Sequence, residues 1–219
     1  MATETWGFHP SRVLYVPNGI DAEKFATGAD PSILPELRSR RGELVIGTLS
    51  ALRQDKRIDR LIRAVAALPA DIRACLVITG DGPERPSLER LALEVGIATK
   101  TVFVGDVAAP ERILGLFDIF VLTSETEQMP YALLEAMAAG LPVVATDVGD
   151  VRAMVAPENS SFIVPGTSLS ALVGAISELA RNATRRVVLG YCNQEKARRE
   201  FQANTMMKTY EALFTGNFR

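Results

Sequence analysis

Short all-apolar runs alternate with stretches of helical periodicity along the chain. Val13-Leu14-Tyr15-Val16 reads as a short strand closed by the turn Pro17-Asn18-Gly19, and Leu44-Val45-Ile46-Gly47 reads as a second strand. Ile58, Leu61, Ile62, Val65 and Leu68 then recur at i, i+3, i+4 and i+7, which places one apolar stripe along a helix. Cys75-Leu76-Val77-Ile78 is a third strand ending in Gly80-Asp81-Gly82-Pro83, followed by a helix over about residues 86–95 and a strand at residues 102–104. A short helix at 110–117, a strand at 118–122, a helix at 130–139 and strands at 143–145 and 162–164 complete the alternation. Strand runs that are apolar throughout, separated by helices, predict an α/β fold: a Rossmann-like parallel sheet covered by helices on both faces.

The last third is helical. Leu169, Leu172, Val173 and Ile176 form one stripe, a basic segment at residues 185–199 reads as a solvated helix face, and a final helix at about 204–214 carries Met206, Tyr210 and Leu213. No internal repeat, low-complexity tract or interdomain linker interrupts the pattern, so residues 1–219 are expected to form a single domain. At 47% hydrophobic and 23% charged residues the chain has an ordinary globular composition, and its net charge of -2 leaves no footprint for nucleic acid. No apolar run approaches the ~18 residues of a membrane span, and no signal peptide is visible after Met1. Cys75 and Cys192 lack metal-ligand spacing and read as reduced, structural thiols, which points to the cytoplasm. His9, the only histidine, lies in an N-terminal approach segment unsuited to a catalytic base.

Candidate chemistry concentrates around Glu127 and Glu135. Glu127 falls on the loop after an apolar strand, and Glu135 about one turn into the helix that Pro130 opens and Gly140-Leu141-Pro142 stops. Ligands of open α/β sheets bind at the carboxyl ends of the strands, and a helix N-terminus there favours phosphate. Two carboxylates at that edge suggest a polyhydroxylated, phosphorylated ligand such as a sugar nucleotide. Ala136, Ala138, Ala139 and Gly140 are small enough to let the helix lie close to the sheet. In the loop 51–56, Arg53 and Lys56 form a possible diphosphate clamp on the same edge. Gly80-Asp81-Gly82-Pro83-Glu84-Arg85 fails as a dinucleotide fingerprint, because Arg85 stands at the third glycine position and Pro83 removes a donor; a tight strand-to-helix turn fits better.

These residues carry a resemblance. Glu127-x7-Glu135 with the following Ala-Met-Ala-Ala-Gly-Leu-Pro-Val-Val-Ala-Thr-Asp-Val-Gly resembles the signature of family 4 glycosyltransferases (glycosyl transferases group 1), retaining enzymes of GT-B fold. Val16-Pro17-Asn18-Gly19-Ile20-Asp21, Gly80-Asp81-Gly82-Pro83 and Phe103-Val104-Gly105 match further segments in the right order, over residues 11–214. The resemblance implies that Glu135 binds the nucleotide ribose and that Glu127 faces the donor sugar near its anomeric carbon. It implies that backbone amides around Met129 to Ala132, including Tyr131, meet sugar hydroxyls and the distal phosphate, with Gln128 and Pro130 also in the donor site. Lys56, with Arg53, would hold the diphosphate, and Gly105, Asp106 and Val107 would meet the base. The substrate implied is a nucleoside-diphosphate sugar, with no cofactor and no metal, in polysaccharide or glycolipid biosynthesis.

Three departures stand out. The usual Gly-Arg-Leu is Ser50-Ala51-Leu52, so Arg53 would have to substitute for the family's arginine. The usual Glu-Gly-Phe or Glu-Gly-Leu is Glu127-Gln128-Met129. The resemblance also covers only the C-terminal, donor-binding half of a two-domain enzyme, so the N-terminal acceptor domain is expected to be absent from these residues. The expectation is therefore a donor half that binds nucleotide sugar, transfers nothing alone, and self-associates through residues 204–219. The intact enzyme would be cytoplasmic or peripheral to the inner membrane. Two rivals are a non-catalytic nucleotide-sugar-binding or interaction module and a GT-B sugar-nucleotide epimerase.

Overall fold

A computed structural model of the chain describes residue 5 and residues 7–26, 28–40 and 42–216. In chain order its elements are α1 (Ala22–Phe25), β1 (Leu44–Leu49), α2 (Ile58–Ala66), β2 (Ala74–Thr79) and α3 (Arg85–Glu94). There follow β3 (Thr101–Gly105), α4 (Glu111–Leu114), β4 (Ile119–Leu122), α5 (Tyr131–Ala138) and β5 (Val143–Thr146). The remainder is α6 (Val151–Met154), β6 (Ile163–Val164), α7 (Leu169–Arg181), α8 (Ala183–Glu200) and α9 (Ala203–Phe214). The six strands form one parallel sheet in the order β3-β2-β1-β4-β5-β6, with β1 and β4 side by side at the centre. The chain order reverses between those two strands, which makes their carboxyl edge the topological switch point.

Side chains alternate across the sheet, so each strand feeds two cores. On one side Ile46, Leu76, Ile78, Ile119 and Val121 pack with Leu61 and Ile62 of α2 and with Leu172 and Ile176 of α7. On the other, Cys75, Val77, Phe120 and Leu122 pack with Ile113 of α4 and with Leu133 and Met137 of α5. Both faces are covered, which is why β2, β4 and β5 are buried along their whole length. Gly47 on β1 leaves room for the ring of Phe117, with which any Cβ there would overlap. Asn193 of α8 and Asn159, both buried, bind the backbone of residues 141, 143 and 156, tying the C-terminal helices to β5 and to the end of α5.

Two sequence expectations are corrected. Residues 13–16 form no strand; the segment leads without regular secondary structure to Ile20, which makes a single bridge to Gln202. An apolar tetrapeptide has strand propensity, but a strand also needs a partner edge, and the sheet offers none there. Pro130 is the N-cap of α5 rather than its first helical residue, with ψ 126° still extended. Among the described residues, no helix is long and apolar enough to cross a membrane.

Candidate nucleotide-sugar site

The loops that leave β1 and β4 at the switch point are stitched together. Glu125 N–H donates to Asp55 O at 2.8 Å, and Thr123 Oγ1 donates to Lys56 O at 3.2 Å. Thr146 Oγ1 holds Ser124 O at 2.6 Å, which ties the second loop to β5. Arg57 closes the first loop in the left-handed region, φ 49°, with its guanidinium on both Asp59 oxygens at 2.9 and 3.0 Å. This packing aims Lys56 at Glu127: Nζ lies 2.6 Å from Oε1, and Ser124 Oγ donates to the same oxygen at 2.6 Å. The lysine and glutamate side chains are only 16% and 11% exposed. Such a pair is stronger than a surface ion pair and holds both groups at the mouth of the cleft.

Beyond Glu127 the backbone turns into α5. Among the described residues, the amides of Gln128, Met129, Tyr131 and Ala132 donate to no protein group, while Leu133 and Leu134 both use the Pro130 carbonyl. The amides of Tyr131 and Ala132 are the orphan donors of a helix start, and those of Gln128 and Met129 lie on the loop just before it, next to a fixed cation. Pro130, Tyr131 and Ala132 line a cleft of about 180 Å³ with Lys56, Glu127, Ser50 and Ala51. It adjoins a wider opening of about 540 Å³ bounded by Tyr15, Asn18, Gln128, Met129 and Asp150.

Glu135 lies one turn further along α5, half-buried. Among the described residues its carboxylate makes no hydrogen bond or ion pair. Burial raises its pKa above the ordinary carboxylate value, the nearby Glu111 carboxylate adds to the rise, and Lys24 opposes it. A carboxylate held in this state is an acceptor awaiting a donor. Gly105, φ 81°, ends β3; Asp106 is exposed, and Val107 packs against the core shared with α4 and α5, which draws this loop towards the Glu135 side.

The structure separates the two expected clamp cations. Lys56 lines the cleft, whereas Arg53 is 58% exposed, pairs with Asp55 at 3.1 Å and lines a different groove. That groove, about 610 Å³ between α2 and α3, is the larger cavity, but four arginines face four carboxylates across it. It offers no net charge and none of the free amides above. The Gly80 loop is a tight turn, its backbone committed to the neighbouring loop by Leu52 N–H to Asp81 O and Glu84 N–H to Leu52 O, each 2.9 Å. His9 caps a short 3₁₀ turn through Ser11. Cys75 and Cys192 are free thiols, and burial pushes the Cys75 thiol up to about 11.

Sequence reasoning passed over four residues that shape the site: Asn18, Ser124, Gly149 and Asp150. Gly149, φ 52°, lies against the Glu127 and Gln128 carbonyls, where any Cβ would overlap. Asp150 N–H donates to Gln128 O at 2.9 Å. Asn18 Nδ2 donates to Met129 O at 2.9 Å across 111 residues of sequence. Asn18 and Gly149 stand in segments that the resemblance matched without giving them a role, and Ser124 lies three residues before Glu127.

Residues 30–196 match the family described as glycosyl transferases group 1. The chain is 32% identical over 213 residues to the GDP-mannose-dependent alpha-(1-6)-phosphatidylinositol monomannoside mannosyltransferase of Mycobacterium tuberculosis, covering 91% of this chain and 55% of that protein. It is 31% identical to the D-inositol 3-phosphate glycosyltransferase of Corynebacterium urealyticum, covering 97% and 54%. The fold superimposes on the crystal structure of Anabaena HepE in complex with UDP-glucose with a TM-score of 0.83 and 21% identity, covering 96% of this chain and 59% of that one. The chain thus spans about half the length of the curated relatives it matches. Its six-stranded parallel sheet and helical C-terminus are those of one half of a GT-B glycosyltransferase. On the family match, which covers most of its length, the chain belongs to the glycosyl transferases group 1 family.

Proposed function

We propose that the chain is the donor-binding half of a retaining glycosyltransferase that moves a sugar from a nucleoside diphosphate to an acceptor hydroxyl. The observation that carries this reading is the convergence, at the switch point, of the Lys56–Glu127 pair with the amides of Gln128, Met129, Tyr131 and Ala132, which have no partner among the described residues. A pyrophosphate placed there meets one fixed cation and the positive end of α5. Glu135 accepts from the ribose diol, and the loop Gly105, Asp106 and Val107 meets the base.

The chemistry follows from the charges. Departure of the nucleoside diphosphate leaves negative charge on the distal phosphate, and groups already aimed at that position stabilise it without reorganising. Lys56 Nζ carries three donors and gives one to Glu127 Oε1, so the others are available to phosphate. The same bond holds the Glu127 carboxylate beside the sugar, where it stabilises positive charge developing at the anomeric carbon. Arg53 is exposed, pairs with Asp55 and lines a different groove from Lys56, so its contribution is smaller. The acceptor site belongs to the other half of the intact enzyme, and this chain alone binds donor without transferring it.

A thermal-shift screen with UDP, GDP and ADP and their sugars, followed by a transferase assay, tests the reading. A rise in Tm with one nucleotide series and no turnover is the expected result. No shift with any of them, or robust transfer by this chain alone, overturns it.

A further inference from the structure

The carbonyls of Glu127, Gln128 and Met129, on the loop between β4 and α5, are each met by a neighbouring segment. Those of Glu127 and Gln128 rest against Gly149, Gln128 O also accepts from Asp150 N–H, and Met129 O accepts from Asn18 Nδ2 at 2.9 Å. A trans peptide is planar, with its N–H opposite its C=O. With the carbonyls of 127 and 128 turned to Gly149 and Asp150, the amides of Gln128 and Met129 point to the opposite side, where among the described residues they have no protein partner. The third clamp, Asn18, comes from outside the strand-and-helix framework. Its own N–H donates to Met129 Sδ at 3.1 Å, and Tyr15 OH reaches Asp150 Oδ2 at 3.2 Å. The far end of this strap is anchored at the junction of α8 and α9: Ile20 N–H donates to Phe201 O at 2.8 Å, Ala203 N–H to Ile20 O at 3.0 Å, and Gly19 N–H to Met206 Sδ at 3.2 Å.

We infer that Asn18 is a positioning residue for the donor sugar. By holding the Met129 carbonyl, whose peptide partner Pro130 has no N–H, it anchors the end of the loop whose amides at Gln128 and Met129 meet the sugar and distal phosphate, and so governs affinity for the sugar-bearing end of the donor but not for the nucleoside end. The inference rests on the donor-site reading above. It also explains why Met129 stands at its position, because a thioether there supplies a second acceptor to the strap.

Two measurements test it. In an amide NMR spectrum of the free chain, Asn18→Ala should move the Gln128 and Met129 cross-peaks while leaving those of the Gly105 loop in place. In titrations, it should weaken binding of the preferred nucleotide sugar by about three- to tenfold, the effect of losing one hydrogen bond, and leave the nucleoside monophosphate unchanged. Gly19→Ala, whose Cβ would sit 2.6 Å from Gln202 O, should push the strap aside and produce the same split. Unmoved loop cross-peaks, or equal loss of both ligands, overturn the role of Asn18. A wild-type chain that binds no nucleotide at all instead defeats the donor-site reading, while the spectrum still decides whether Asn18 sets the loop.

Discussion

Replacing Glu135 should weaken nucleotide binding and strengthen the fold. The carboxylate sits half-buried on α5 without a protein hydrogen bond among the described residues, and burial with the neighbouring Glu111 raises its pKa. A ribose diol would give it two charge-assisted bonds. Their joint loss in Glu135→Ala is worth about 1.5–3 kcal/mol, or roughly 10- to 150-fold in affinity. The same group costs the free protein stability, because the folded state disfavours its charged form. Between its ordinary value and its raised value the folded chain binds more protons than the unfolded chain. The contribution of Glu135 to stability therefore falls as pH rises through that window, and the penalty is full above the folded pKa. Glu135→Gln removes the charge at constant shape, so at neutral pH it should raise Tm and flatten this part of the pH dependence. Calorimetric titration with the preferred nucleotide gives the affinity, and thermal melts from pH 4 to 8 give the stability. Unchanged affinity in a folded Glu135→Ala chain, or a lower Tm for Glu135→Gln, would refute the reasoning.

Lys56→Ala should lower affinity for the nucleoside diphosphate more than for the nucleoside, and equal losses would remove Lys56 from the clamp. The Lys56–Glu127 pair should also show a coupling of about 1–3 kcal/mol in a double-mutant cycle read by denaturant unfolding, since both side chains are largely buried; additive single mutants would contradict that. Gly149→Ala should cost about 1–3 kcal/mol, because its φ of 52° and the adjacent Glu127 carbonyl leave no place for a Cβ; a melt indistinguishable from wild type would show that the loop yields. Met207, Tyr210, Leu213 and Phe214 are exposed on α9, so the chain is expected to self-associate and to become monomeric without residues 204–219, of which 217–219 lie outside the described residues. Sedimentation showing a full-length monomer would end that expectation.

The parts of the fold legible in the sequence were those that locally uniform environments dictate. Residues 75–78 and 119–122 are buried on both faces, so their apolar runs announced strands, and the stripe through Leu61, Ile62 and Val65 announced α2. The switch-point loops could then be ordered, and the family resemblance ranked the residues on them. What escaped depended on partners distant in sequence. Val13–Val16 had the composition of a strand but no edge to join. Lys56 and Glu127 were each singled out, yet their bond spans 71 positions that no local pattern connects. Arg53 and Lys56 lie three residues apart and both reach Asp55, yet the 3₁₀ turn between them leaves Arg53 exposed and sends Lys56 into the cleft.

The most direct test of the donor site is an amide chemical-shift map of the chain titrated with its preferred nucleotide sugar. The account predicts the largest changes at Lys56, Gln128 to Ala132, Glu135 and Gly105 to Val107, on the carboxyl edge of the sheet. Changes confined to the groove between α2 and α3, around Arg63, Leu88 and Arg90, would contradict it.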